Sequence, residues 1–184
     1  ELQDFPGLLL LDADGLNRLA AQGNVQLWLQ QRTGPTWLTP HAAEFARLFP
    51  ELANLPPAPA AAQAAQQSQC WVLRKGARTV IASPDGIVRQ VLQSEARAAR
   101  AGLGDVLSGY AAGLGAMGLA AGLDPTGDRF DGLLALAALA HASAGIRQSQ
   151  AGEGAASPLA VAQMLQKVRD AGSFEQAESN LMRD

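Results

Sequence analysis

The chain has 184 residues, 48% of them hydrophobic, with a formal net charge of −3 at pH 7 and one cysteine. That length suits one domain with a sizeable core, and an acidic chain without a Lys/Arg block argues against a nucleic-acid surface. One cysteine excludes an intrachain disulfide, and no apolar run is long enough to span a bilayer, so a soluble cytoplasmic protein of small metabolites is expected.

Gly7 to Leu11 is a short apolar run of buried-strand type that ends in Asp12-Ala13-Asp14-Gly15-Leu16-Asn17. Polar residues after a buried strand sit at its carboxyl end, where ligands bind in open α/β sheets. The run reads as a central strand covered on both faces, which needs neighbours on either side. Only six residues precede it, so a neighbour is expected from sequence before this point or from a second copy. Leu16 to Arg32 reads as helical, broken at Gly23-Asn24. Gly34-Pro35 turns the chain into a strand over Thr36 to Thr39, and His41 to Phe49 is a helix ended by Pro50. Pro56-Pro57-Ala58-Pro59 reads as a surface linker ahead of an Ala/Gln helix over Ala60 to Gln67.

Strands are expected at Cys70 to Arg74, Arg78 to Ser83 and Ile87 to Leu92, with Pro84-Asp85-Gly86 as a hairpin turn. Three helices follow, over Asp105 to Ala121, Phe130 to Gln148 and Pro158 to Ala171, and Ser173 to Asp184 is a polar tail. Strands alternating with helices, then a helical layer, define an α/β class with three layers, α/β/α, over residues 1–172.

The chemistry-bearing groups gather at the predicted strand ends. Gly102-Leu103-Gly104-Asp105 opens a long helical segment, where unpaired backbone N–H groups and the helix dipole favour an anion. A carboxylate at that mouth, Asp105, would repel a phosphate held only by the loop. It makes sense as a base that takes a proton while a phosphoryl group moves, or else as a plain N-cap. Lys75, after a strand and before Gly76, suits a point-charge contact to phosphate. Glu44 fits a first-turn acid serving the helix dipole, with a metal-side carboxylate near phosphates as the other reading. Asp14 and Asn17 could cap a helix or face a ligand. His141 and Cys70 read as structural.

Four motifs in order carry a resemblance: Asp12-Ala13-Asp14-Gly15-Leu16-Asn17, Thr39-Pro40-His41-x-x-Glu44, Lys75-Gly76-Ala77-x-Thr79 and Gly102-x-Gly104-Asp105-Val106-Leu107-Ser108-Gly109. Together they resemble the ADP/ATP-dependent NAD(P)H-hydrate dehydratases, ribokinase-like proteins related to carbohydrate kinases. The resemblance runs from about Gly7 to about Leu165 and implies a ribokinase-like fold with its N-terminal third missing here. It implies repair of hydrated NADH and NADPH with ADP or ATP as co-substrate and Mg2+ as companion ion. It places Asp105 as catalytic base; His41, Asp105, Asp14 and Asn17 at the substrate; and Lys75, Gly76, Ala77, Arg78, Thr79, Gly102 and Gly104 at the nucleotide. No protein metal-ligand set is assigned. Arg100 and Leu103 stand where the family pattern has small hydroxyl or glycine residues, and Arg100 could pair with phosphate instead. The competing readings are a ribokinase-type small-molecule kinase and a catalytically silent nucleotide-binding relative.

Overall fold

The computed structural model describes residues 2–92, 101–151 and 157–170. Five short strands, β1 (Leu9–Leu11), β2 (Thr36–Leu38), β3 (Trp71–Arg74), β4 (Val80–Ala82) and β5 (Val88–Gln90), form one sheet in sequence order. The first three run parallel, and β4 and β5 return antiparallel. Parallel neighbours need crossovers. Helices α1 (Ala13–Ala21) and α2 (Val25–Gln30) connect β1 to β2; α3 (Ala42–Leu48), a 3-10 turn (Pro50–Leu52) and α4 (Pro57–Ser68) connect β2 to β3. Helices α5 (Leu103–Ala120), α6 (Asp128–Ala151) and α7 (Pro158–Asp170) complete the described chain.

The strand pleat sorts the core onto two faces. Leu38, Val72 and Val80 point to one side, against Leu16, Leu29, Phe45 and the fully buried Ala60, Ala61, Ala64 and Ala65 of α4. Their neighbours Trp37, Leu73 and Ile81 point to the other, against Leu107 and Ala111 of α5 and Phe130 and Leu134 of α6. This is the three-layer α/β/α arrangement that the alternation of elements implies. Gly115 lets α5 close onto the sheet, since a Cβ there would lie 2.8 Å from Trp37 Cη2. Helix α7 packs through Val161 and Leu165 on Leu103, Ala140 and Ala144.

Several expectations are corrected. The stretch Pro56-Pro57-Ala58-Pro59 is not a linker: α4 starts at Pro57, whose missing N–H costs nothing in the first helical turn. Among the described residues β1 pairs with β2 on one side, and its three leucines are half-buried. Gly7 and Leu8 fall outside the strand. The segment before it is held by a side chain instead, for Arg32 donates to the carbonyls of Phe5 (2.8 Å) and Gly7 (3.1 Å) and to the Thr36 hydroxyl (3.1 Å). Helix α5 starts before Asp105, with Gly102 as its N-cap at φ +86°, so Asp105 is not an N-cap. Arg100 and the polar tail lie outside the described residues.

Cys70 is buried beside β3, its thiol donating to the Ser68 carbonyl at 3.3 Å, and burial pushes that thiol up to about 12. Among the described residues no helix is long and apolar enough to cross a membrane.

Candidate active site

The carboxyl ends of β1, β2 and β3 converge on Asp12. It follows the last residue of β1 and caps α1, accepting from the Ala13 N–H at 2.9 Å. The same oxygen, Oδ1, accepts from Lys75 Nζ at 2.7 Å, one residue past the end of β3. Its other oxygen, Oδ2, accepts from the Ser108 hydroxyl of α5 at 2.5 Å. Ser108 Oγ lies 3.4 Å from the hydroxyl of Thr39, which follows β2 and donates to the Leu11 carbonyl at 3.2 Å. Asp12 and Lys75 are mostly buried, with side chains 11% and 20% exposed.

Thr39-Pro40-His41 turns the chain from β2 into α3, and His41 is the N-cap of that helix. Its Nδ1 accepts from the N–H groups of Ala43 (3.1 Å) and Glu44 (3.3 Å), so the ring proton sits on Nε2, 3.3 Å from Glu44 Oε1. Glu44 Oε2 in turn accepts from the His41 N–H at 2.8 Å, completing a capping box in which histidine takes the place of serine or threonine. The Glu44 carboxylate is buried and also stands 3.9 Å from Lys75 Nζ. The His41 side chain stays half exposed, which leaves its imidazole open to a ligand.

The glycine turn meets Lys75 here. A Cβ on Gly104 would lie 3.4 Å from Lys75 Nζ and 3.9 Å from Asp12 Oδ2, so the first turn of α5 and the lysine ammonium are neighbours. Asp105, the third residue of α5, is exposed. It stands on the rim of a groove of about 490 Å3 between α5 and α7, bounded also by Gly109, Tyr110, Leu165 and Gln166. Leu103 is buried against α6 and α7, so its departure from the family pattern is a packing change rather than a lost phosphate-facing group.

The loop 75–79 between β3 and β4 is pinned at both ends. Lys75 N–H donates to the Pro40 carbonyl at 2.8 Å, the Thr79 hydroxyl donates to the Gly76 carbonyl at 3.3 Å, and the Thr79 carbonyl accepts from the Val91 N–H at 2.9 Å. Gly76, Ala77 and Arg78 are exposed between these anchors. Asp14 is exposed in the first turn of α1, and Asn17 accepts from Arg47 Nη1 at 2.9 Å across the α1–α3 surface. Among the described residues no hydrogen bond or ion pair ties either of them to Lys75 or the glycine turn, so the structure brings Lys75, Gly104, Asp12, Glu44 and Ser108 together and leaves Asp14 and Asn17 apart. His141 is half-buried within α6; burial pushes its imidazole down, and the Leu103 carbonyl opposes that shift.

Ser108 and Thr39 stand inside the sequence motifs, but sequence reasoning assigned neither a role of its own. Their signal was spacing: Ser108 lies one helical turn after Gly104, and Thr39 is the first residue past β2. Asp12 was visible as a strand-end acid, but nothing in the sequence says which of Asp12 and Asp14 faces inward.

Parallel strands with polar groups at their carboxyl ends, an antiparallel hairpin and a glycine-turn helix define a ribokinase-like α/β protein. A ribokinase-like superfamily protein of Enterococcus faecalis shares the fold, with a TM-score of 0.65 at 20% identity over 89% of this chain and 63% of that one. The sequence pattern of the NAD(P)H-hydrate dehydratase family matches residues 1–167, and the chain belongs to that family. It is 46% identical over 144 residues to the bifunctional NAD(P)H-hydrate repair enzyme Nnr of Synechocystis, covering 77% of this chain and 26% of the relative. To the enzyme of the same name from Gloeobacter violaceus it is 50% identical over 107 residues, or 58% of this chain and 20% of the relative. The ADP/ATP-dependent NAD(P)H-hydrate dehydratase of Bacillus subtilis, co-crystallised with ATP/Mg2+, superposes with a TM-score of 0.63 at 28% identity, over 76% of this chain and 50% of that chain. The chain therefore spans about a quarter or less of the length of these curated relatives and half of the Bacillus structure.

Proposed function

We propose that this chain carries the nucleotide half of a dehydratase site that restores hydrated NADH and NADPH at the expense of ADP or ATP. The observation that carries the reading is the meeting of Lys75 Nζ with Gly104 at the first turn of α5. An ammonium beside the opening turn of a helix, where N–H groups lack intrahelical partners, fits a phosphate. Lys75, Gly76, Ala77, Arg78 and Thr79 then line the nucleotide on the hairpin side, with Gly102 and Gly104 on the helix side. His41, Asp14 and Asn17 belong to the substrate side of the same reading.

Asp105 acts as the base. It takes the proton of the ring hydroxyl as that oxygen bonds to the terminal phosphorus and the bridging P–O bond to the nucleotide breaks. The phosphorylated hydrate then loses phosphate together with a proton from the adjacent ring carbon, restoring the dihydronicotinamide double bond. Exposure of the Asp105 carboxylate on the rim of the α5–α7 groove suits a group that meets its proton donor only when substrate is bound.

Among the described residues no group of three or more His, Cys, Asp or Glu side chains could hold a metal ion. Asp12 and Glu44 are engaged by Lys75 and by N–H groups, so Mg2+ fits this site as an ion carried on the nucleotide phosphates, where it offsets their charge. Among the described residues β1 pairs on one side only, which leaves room for a further strand beside it. The buried single thiol supports a reducing, cytoplasmic setting.

The test is ligand-induced stabilisation. AMP, ADP or ATP in millimolar excess raises the melting temperature by mass action, and Lys75→Ala removes most of the shift. A melting curve that none of the three moves would end the nucleotide assignment.

A further inference from the structure

We propose that Asp12 is a positioning residue, which fixes Lys75 against the opening turn of α5 by holding the lysine ammonium on one carboxylate oxygen and the Ser108 hydroxyl on the other. The inference rests on the nucleotide reading above and adds how the distance between its two anion-binding parts is set. A lysine ammonium rides on a flexible four-carbon stem, so its place relative to a helix N-terminus is not fixed by the backbone alone. Asp12 supplies the missing constraint. Its Oδ1 is held by the Ala13 N–H at 2.9 Å and Lys75 Nζ at 2.7 Å, and its Oδ2 by Ser108 Oγ at 2.5 Å.

Ser108 is buried and sits one turn beyond Gly104 on the same helix, about 6 Å along the axis. The carboxylate is therefore bonded to the lysine and to the helix whose N-terminus that lysine faces. The apolar face of α5 packs on the sheet through Leu107, Ala111 and Gly115. The Ser108 hydrogen bond adds a polar tie between that helix and the end of β1. Glu44, 3.9 Å from Lys75, is committed to the His41 N–H and is too distant for a direct hydrogen bond to the lysine.

Helix capping is the competing role for Asp12, and the two roles ask for different things. A cap needs an oxygen at Oδ1, which asparagine keeps; holding an ammonium needs the charge, which asparagine lacks. Asp12→Asn keeps the cap and a neutral acceptor for the lysine, so it should lower the stability of the unliganded protein by no more than Lys75→Ala does. Its nucleotide KM should stay the same or fall, since a negative charge beside the phosphates is gone. Its kcat should fall about ten- to hundredfold, as expected for a misplaced binding group. In a Lys75→Ala background the same change should have no further effect on kcat, because Asp12 acts through that lysine. Multiplying losses in the double variant, or a kcat loss accompanied by an equal drop in stability and rise in KM, would overturn the proposal. Should Asp12→Asn fail to fold, Ser108→Ala carries the same double-variant test with the same criterion. Calorimetric titration of the wild-type protein with ADP separates the two levels: absence of binding removes the nucleotide reading and this inference with it, whereas binding with uncoupled variants removes the inference alone.

Discussion

Strand β3 ends in a carboxylate pairing at each tip, and the two are built differently. At its carboxyl end Lys75 reaches Asp12, and two further donors, Ala13 N–H and Ser108 Oγ, complete that carboxylate. At its amino end the Trp71 indole N–H donates to Asp131 of α6, which is 3% exposed. Burial pushes the Asp131 carboxyl above its ordinary value; the Trp71 hydrogen bond opposes this, Asp85 adds to it, and Arg89 and Ser83 weakly offset it. Each carboxylate is built into the core edge, yet of the two only Asp12, at the carboxyl end of β3, has a cation in direct contact among the described residues. The sheet thus spends its buried positive charge where a phosphate would arrive and leaves the far end to a neutral donor.

Four outcomes would break or sharpen that contrast, the largest first. Asp105→Asn keeps the shape of the helix opening and removes the proposed base, so turnover should fall by about two to four orders of magnitude while ADP still shifts the melting curve. Near-normal turnover would reduce Asp105 to a surface acid. Lys75→Ala should weaken nucleotide affinity about tenfold or more. It should also destabilise the unliganded protein by about 1–3 kcal/mol, because the mostly buried Asp12 loses its charged donor. Calorimetry and denaturant unfolding read the two effects separately.

Trp71→Phe deletes the donor at the other tip and leaves a buried carboxyl oxygen unpaired, at a cost of about 1–3 kcal/mol. Activity should be little affected, since the change lies at the end of the sheet away from Lys75. The smallest effect concerns pH. Asp131 has a folded-state pKa raised above its unfolded value, so the folded chain binds this proton more tightly than the unfolded one. The ionised form is a cost that is fully present above the folded pKa, and stability is regained as pH falls through that pKa toward the ordinary value of 3.8. Asp131→Asn should therefore melt a few degrees higher at pH 7 and lose that part of the pH dependence. A variant that melts lower at pH 7 would mean that the carboxylate is favourably paired.

The sequence made the layers legible because hydrophobic period and turn residues agree with each other. Trp37-Leu38 and Val72-Leu73 alternate faces as short strands must, and Gly23, Pro50 and Gly86 mark real ends. Where it misled, a tertiary partner decided. The proline cluster before Ala60 became a helix start because α4 buries four alanines on the sheet. The leucine run from Gly7 gives a strand of only Leu9–Leu11, because Arg32 holds the carbonyls of Phe5 and Gly7 ahead of it. Motif spacing found Lys75, Gly104 and His41, but which neighbours they share depends on how β1 and α5 meet, and that contact spans 96 residues between Asp12 and Ser108. No local pattern encodes it.

The most direct test is to give the protein enzymatically hydrated NADH together with ADP or ATP and follow the return of dihydronicotinamide absorbance. The account predicts recovery that requires an adenine nucleotide, releases phosphate in equal amount, and is lost in Asp105→Asn. A protein that binds the nucleotide yet restores no dihydronicotinamide with either ADP or ATP would contradict it.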